Sequence, residues 1–137
     1  MPVAGFMYDT TLAISRMALG GFFERYTKLK LIASHGGGYL PFIHGRIDVF
    51  YNEETLVKMP ITTRPSEYFE RIYYDAIVYD KGALDLVIDI AGPEKVMFGT
   101  DQPMPNDVPR LKKIVGTRSP DERDRILGRN AERIFNL

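Results

Sequence analysis

The chain has 137 residues with 18 basic and 18 acidic side chains, a formal net charge of zero, and 45% hydrophobic residues. The length suits one domain rather than two, and the apolar fraction is enough to bury a core. The charge balance argues against a nucleic-acid binder or a polybasic membrane module, and the lack of cysteine excludes disulfides, thiolate metal sites and a Cys nucleophile.

No apolar run approaches the roughly 18 residues needed to span a bilayer, and no signal peptide is evident at the start. These features lead us to expect a soluble, cytoplasmic unit. The first element is expected to be a helix capped by Asp9 or Thr10, with Leu12, Ile14, Met17, Ala18, Phe22 and Tyr26 on one face. Gly20 and Gly21 lie late in it and either weaken it or admit a close neighbour. Leu29 to Ser34 reads as a buried strand, followed by the triplet Gly36-Gly37-Gly38. Pro41 suits the first turn of a helix carrying Phe42, Ile43, Ile47, Val49 and Phe50. The polar stretch Asn52 to Pro65 is expected to be an excursion, and Ser66 to open a short helical turn.

Arg71 to Val78 forms the second expected strand. Asp80 caps a helix from Lys81 to Ala91, which Gly92-Pro93 ends. Lys95 to Phe98 is the third strand, and Pro103 and Pro105 block regular structure after it. A helix spans Asp107 to Val115, and Ser119-Pro120-Asp121-Glu122 is a capping box that opens the last helices. The alternation predicts βα units around a parallel sheet, with strands apolar on both faces and two unpaired sheet edges. The aromatics Phe22, Phe23, Tyr26, Tyr73 and Tyr74 are expected in the core.

In such folds ligands gather at the carboxyl ends of strands, and here each end carries an ionisable group: His35, Asp75 and Asp101. Alone, each has an ordinary structural explanation; together they mark a candidate site. Arg46, on the helix with Phe42, suits a carboxylate, although a solvated helix face is the commoner role for a single arginine. Asp75 either serves a neighbouring strand end or orients a ligand indirectly. His44 has no evident partner.

The ordered set Ser34-His35-Gly36-Gly37-Gly38-x-x-Pro41-Phe42-x-x-Gly45-Arg46, Tyr73-Tyr74-Asp75-Ala76, Val96-Met97-Phe98-Gly99-Thr100-Asp101-x-Pro103 and Asn130-Ala131-x-Arg133 resembles the carboxyl-terminal half of the amidohydrolase-related metal-dependent hydrolases. Within these it is similar to the aminocarboxymuconate-semialdehyde decarboxylase-like branch. The resemblance covers nearly the whole chain. It implies an α/β fold: about three βα units, strands six to eight, of a TIM (β/α)8 barrel, with residues 1–137 as a partial barrel domain.

By the same resemblance, Asp101 is a metal ligand and His35 the acid/base histidine. Arg46 would contact a substrate carboxylate; apart from the resemblance, Phe42 on the same helix is expected to line the substrate site, and Asp75 to act indirectly. The implied cofactor is a divalent metal, zinc in the usual case, and the implied substrate a small carboxylic acid that is decarboxylated or hydrolysed. Of the family's metal ligands only Asp101 is present, since no His-x-His occurs and positions 1 to 34 hold no histidine. A full barrel needs about 250 residues. The expectation is therefore a fragment, a truncated product inactive alone, that forms homo-oligomers or complements an amino-terminal half. A non-catalytic half-barrel used for binding or oligomerisation is the alternative.

Overall fold

The computed structural model describes residues 2–52 and 59–137. Its centre is a sheet of three parallel strands in the order β1-β2-β3: β1 (Ile32–Ala33), β2 (Tyr73–Asp75) and β3 (Val96–Met97). Ile32 pairs with Tyr73 and Ala33 with Tyr74, while Tyr74 pairs with Val96 and Asp75 with Met97. The predicted strands are in place but shorter, because hydrogen bonding to a neighbour lasts only where two strands run side by side.

Burial follows the same logic. The central Tyr74 and both residues of β3 are buried, but Ile32 at the start of β1 is 37% exposed, so the first strand is not apolar-packed on both faces. On the far side of β3, the Phe98 N–H donates to the Ile126 carbonyl at 2.7 Å, so that edge is partly covered by the carboxyl-terminal segment.

The first helix, α1 (Pro2–Leu19), begins well before Asp9 and Thr10, which lie within it and do not cap it. It ends at the glycine pair, and a separate turn, α2 (Phe22–Arg25), follows. Gly21 has φ 74°, and a Cβ there would come within 2.9 Å of the Pro60 carbonyl. Both expected effects of the glycines thus occur: the helix stops, and a loop approaches closely. Tyr26 lies beyond this break and is 49% exposed, whereas Phe23 stacks on Tyr68 with ring centroids 5.5 Å apart.

Helix α3 (Leu40–Asn52) carries Pro41 in its first turn as expected, and α4 starts at Pro65 and runs to Arg71. Of the expected excursion, residues 53–58 lie outside the described residues. Its end is fastened: Glu24 Oε1 accepts from the Thr62 N–H at 2.7 Å, the Thr63 N–H at 3.0 Å and the Tyr68 hydroxyl at 2.6 Å. His44 of α3 lies 3.3 Å from Glu70 of α4, a partner that its sequence position did not suggest.

Helix α5 (Lys81–Ala91) matches its predicted bounds. Asp80 accepts from the Ala83 N–H, and Gly92 at φ 82° follows the last turn. Helix α6 (Val108–Val115) is capped by Asp107. The Ser119–Glu122 capping box opens α7 (Pro120–Asp124), which continues through a π-helical turn into α8 (Asn130–Phe135). Tyr68, Phe69, Tyr74, Leu84 and Val96 are the large members of a core shared by sheet and helices. No helix among the described residues is long and apolar enough to cross a membrane.

Candidate active site

Parallel pairing puts the three strand ends on one side of the sheet, and the loops after them wall a cavity of about 800 Å³. His35 and Asp101 line it together with Phe42, Tyr79, Phe6 and Met104. His35 Nε2 lies 3.8 Å from Asp101 Oδ2, and both side chains are half-buried. The wall is otherwise mostly apolar, so polar chemistry in the cavity rests on few side chains.

The loop from β1 is shaped by glycine. Gly36, Gly37 and Gly38 all have positive φ, and a Cβ on them would strike Val78, Tyr74 and the Met7 carbonyl respectively. The triplet therefore lets the chain turn under β2 and against α1 at the same time. Met7 belongs to α1, so the first helix forms one wall of the site.

Three non-glycine residues on this rim adopt left-handed backbone: His35 (φ 57°), Tyr79 (φ 53°) and Asp101 (φ 60°). One follows each strand, and all three line the cavity. Such conformations cost on the order of 1 kcal/mol each and collect at functional sites. Sequence reasoning missed Tyr79. Its position before the Asp80 cap carries no signal of positive φ, and only the tertiary structure puts it in the cavity lining. Residues of α1 were missed for the same reason.

Asp75, at the end of the central strand, lies behind the cavity wall. Its Oδ2 accepts from the His35 N–H at 2.9 Å, and its Oδ1 from the Gly36 N–H at 2.9 Å and the Ile77 N–H at 3.1 Å. Burial pushes its carboxyl above the usual carboxylate range, opposed by these three N–H groups and by His35. Phe42 is 83% exposed at the cavity mouth. Arg46 is not brought to the cavity: it is exposed on α3, with its guanidinium 5.4 Å from the Phe50 ring centroid.

A divalent metal in this cavity would find Asp101 and His35 as donors. Among the described residues no three His, Asp or Glu side chains converge. A catalytic cation generally takes about three protein ligands, so the described residues do not by themselves compose such a site.

Comparison with known proteins covers the same stretch of chain. The family model described as Amidohydrolase matches residues 2–137. The chain belongs to the amidohydrolase family. It is 34% identical to a 2-amino-3-carboxymuconate-6-semialdehyde decarboxylase of Dictyostelium discoideum, over 98% of this chain and 39% of that protein. It is 28% identical to a gamma-resorcylate decarboxylase of Rhizobium sp., over 99% of this chain and 43% of the other.

These amidohydrolase relatives fall in the branch that the motifs resemble. Among solved structures, 5-carboxyvanillate decarboxylase of Sphingomonas paucimobilis matches with 32% identity and a TM-score of 0.77, over 90% of this chain and 38% of that one. A dihydroxybenzoic acid decarboxylase of Polaromonas sp., with bound manganese and the inhibitor 2-nitroresorcinol, matches with 26% identity and a TM-score of 0.88, over 100% and 42%. The chain thus spans about two fifths of the length of the curated relatives it matches.

Proposed function

We propose that the chain supplies one wall of a metal-dependent decarboxylase acting on a small, preferably aromatic, carboxylic acid, with its strands as the sixth to eighth of a TIM barrel. The observation that carries this reading is the His35 imidazole facing the Asp101 carboxylate at 3.8 Å in an apolar cavity at the strand ends. The names of the relatives favour decarboxylation over hydrolysis.

In this reading His35 is the acid/base group. It delivers a proton to the carbon that loses CO2 while the electron pair of the broken C–C bond returns to that carbon. Phe42, Tyr79 and Phe6 surround the apolar part of the acid and keep water from the reacting carbon. Asp101 would help hold a divalent metal, which when bound would supply stabilisation of negative charge developing on the substrate. Zinc is the usual metal of the family by resemblance, and manganese is present in the Polaromonas structure. With His35 kept for proton transfer, Asp101 is the one described side chain this reading gives to the metal, and the other ligands would come from outside the described residues, in this reading from another copy or a complementing amino-terminal half. In this reading Arg46, exposed on α3, contacts the substrate carboxylate in such a partner.

The shortage of donors also favours a second reading, a half-barrel that binds or oligomerises without turnover. A chimera decides between them. The chain replaces the matching segment of the Polaromonas enzyme, and CO2 release from dihydroxybenzoate is measured with bound metal. Asp101→Ala is expected to lose both metal and turnover. His35→Asn is expected to keep the metal and lose turnover by about 10²-fold or more. A folded chimera that binds metal without releasing CO2 supports the binding module, and turnover in Asp101→Ala removes Asp101 from the metal.

A further inference from the structure

The His35 ring has few restraints of its own. Its Nδ1 is buried without a hydrogen-bond partner among the described residues, and Nε2 is 3.8 Å from Asp101, beyond hydrogen-bond range. Site histidines are commonly oriented by a partner on the second ring nitrogen; here that partner is absent. The backbone at His35 is left-handed with φ 57°. That conformation is unfavourable for a residue with a side chain and persists only where surrounding contacts hold it.

Beside the turn's own bonds, Gly37 N–H to the Ser34 carbonyl and Gly38 N–H to the His35 carbonyl at 3.0 Å each, one carboxylate supplies the side-chain contacts that hold it. Asp75 accepts from two successive N–H groups, His35 and Gly36, at 2.9 Å each. It is itself anchored by the Ile77 N–H and by a backbone paired on both sides, through Tyr74 with β1 and β3 and directly with Met97. The central strand therefore reaches across to the loop after one edge strand and aims its histidine at the aspartate after the other.

We propose that Asp75 is the positioning residue of this site, setting the direction of the His35 imidazole through the backbone rather than through the ring. The assignment deepens the reading of His35 as the acid/base group and rests on it for its functional meaning. The geometric claim is tested without turnover, so its failure leaves that reading untouched, and failure of that reading leaves the geometry standing.

The test uses the isotopically labelled chain and its two histidines, with His44 as internal reference. Asp75→Asn keeps an oxygen for Gly36 and Ile77 but turns an amide nitrogen toward the His35 N–H. Hydrogen exchange of that amide is expected to rise about tenfold or more, the equivalent of one lost hydrogen bond. The His35 ring signals in carbon–proton spectra are expected to shift and broaden, while those of His44 stay in place. Asp75→Ala frees all three N–H groups and is expected to enlarge the same changes. Unmoved His35 ring signals in Asp75→Asn, despite faster amide exchange, would overturn the proposal. Equal changes at both rings, or outright unfolding of Asp75→Asn, would overturn it too, since either marks a general structural role.

Discussion

Glu24 illustrates how much one residue fastens in this chain. Its Oε1 accepts from Tyr68 on α4 and from the Thr62 and Thr63 N–H groups before it, which holds α2 against the entry to α4. These donors, Tyr68 foremost, lower its carboxyl from 4.5 to about 2. A carboxyl lowered in the folded state stabilises the fold above its unfolded value, and that contribution is lost as pH falls through the folded one. Denaturant unfolding of the wild-type chain and of Glu24→Gln should therefore differ most above pH 4.5 and converge toward pH 2. A gap that is constant with pH would show that the charge is not the source. Nothing in the sequence around Glu24 signals this role, because its partners lie up to 44 positions away.

At the scale of elements, the clearest local signals were the caps. Asp80, Asp107 and the Ser119–Glu122 box each hydrogen-bond within a few residues, and the helices begin where the sequence places them. The start of α1 was misplaced because Asp9 and Thr10 have capping chemistry but sit inside a longer helix. The two-residue outer strands carry too few ladder bonds to hold themselves, so side chains reinforce the sheet. Asn130, 1% exposed at the start of α8, donates from its amide nitrogen to the carbonyls of Pro93 and Val96, both at 2.7 Å. Asn130→Ala removes both bonds and leaves buried acceptors unmet, which should cost about 2–3 kcal/mol in equilibrium unfolding. A loss below about 0.5 kcal/mol would show that the carbonyls find other donors.

For the whole molecule, the decisive feature is a cavity whose walls come from α1, from the loops after all three strands and from α5, with two metal-competent side chains on its rim. The residues at those strand ends were legible in the sequence, and His35 and Asp101 do face each other. Arg46 shared a helix with Phe42, yet the helix turns it away, since spacing along a helix says which residues share a face but not what that face meets. Metal analysis of the purified chain should find less than about one tightly held zinc per chain, as expected of two donors where about three are needed. A stoichiometric tight zinc would point to ligands beyond His35 and Asp101.

The sequence by itself determined the caps of α5, α6 and α7, the glycine turn, the parallel βα order and the family, because each rests on short-range chemistry or on an ordered string of residues. Only the tertiary structure decided that Asp75 grips the backbone of a histidine 40 positions away, that Tyr79 joins the cavity lining, and that α1 closes its side. Those relations depend on strand register and helix packing, in which many weak contacts act together and no single residue type specifies the outcome.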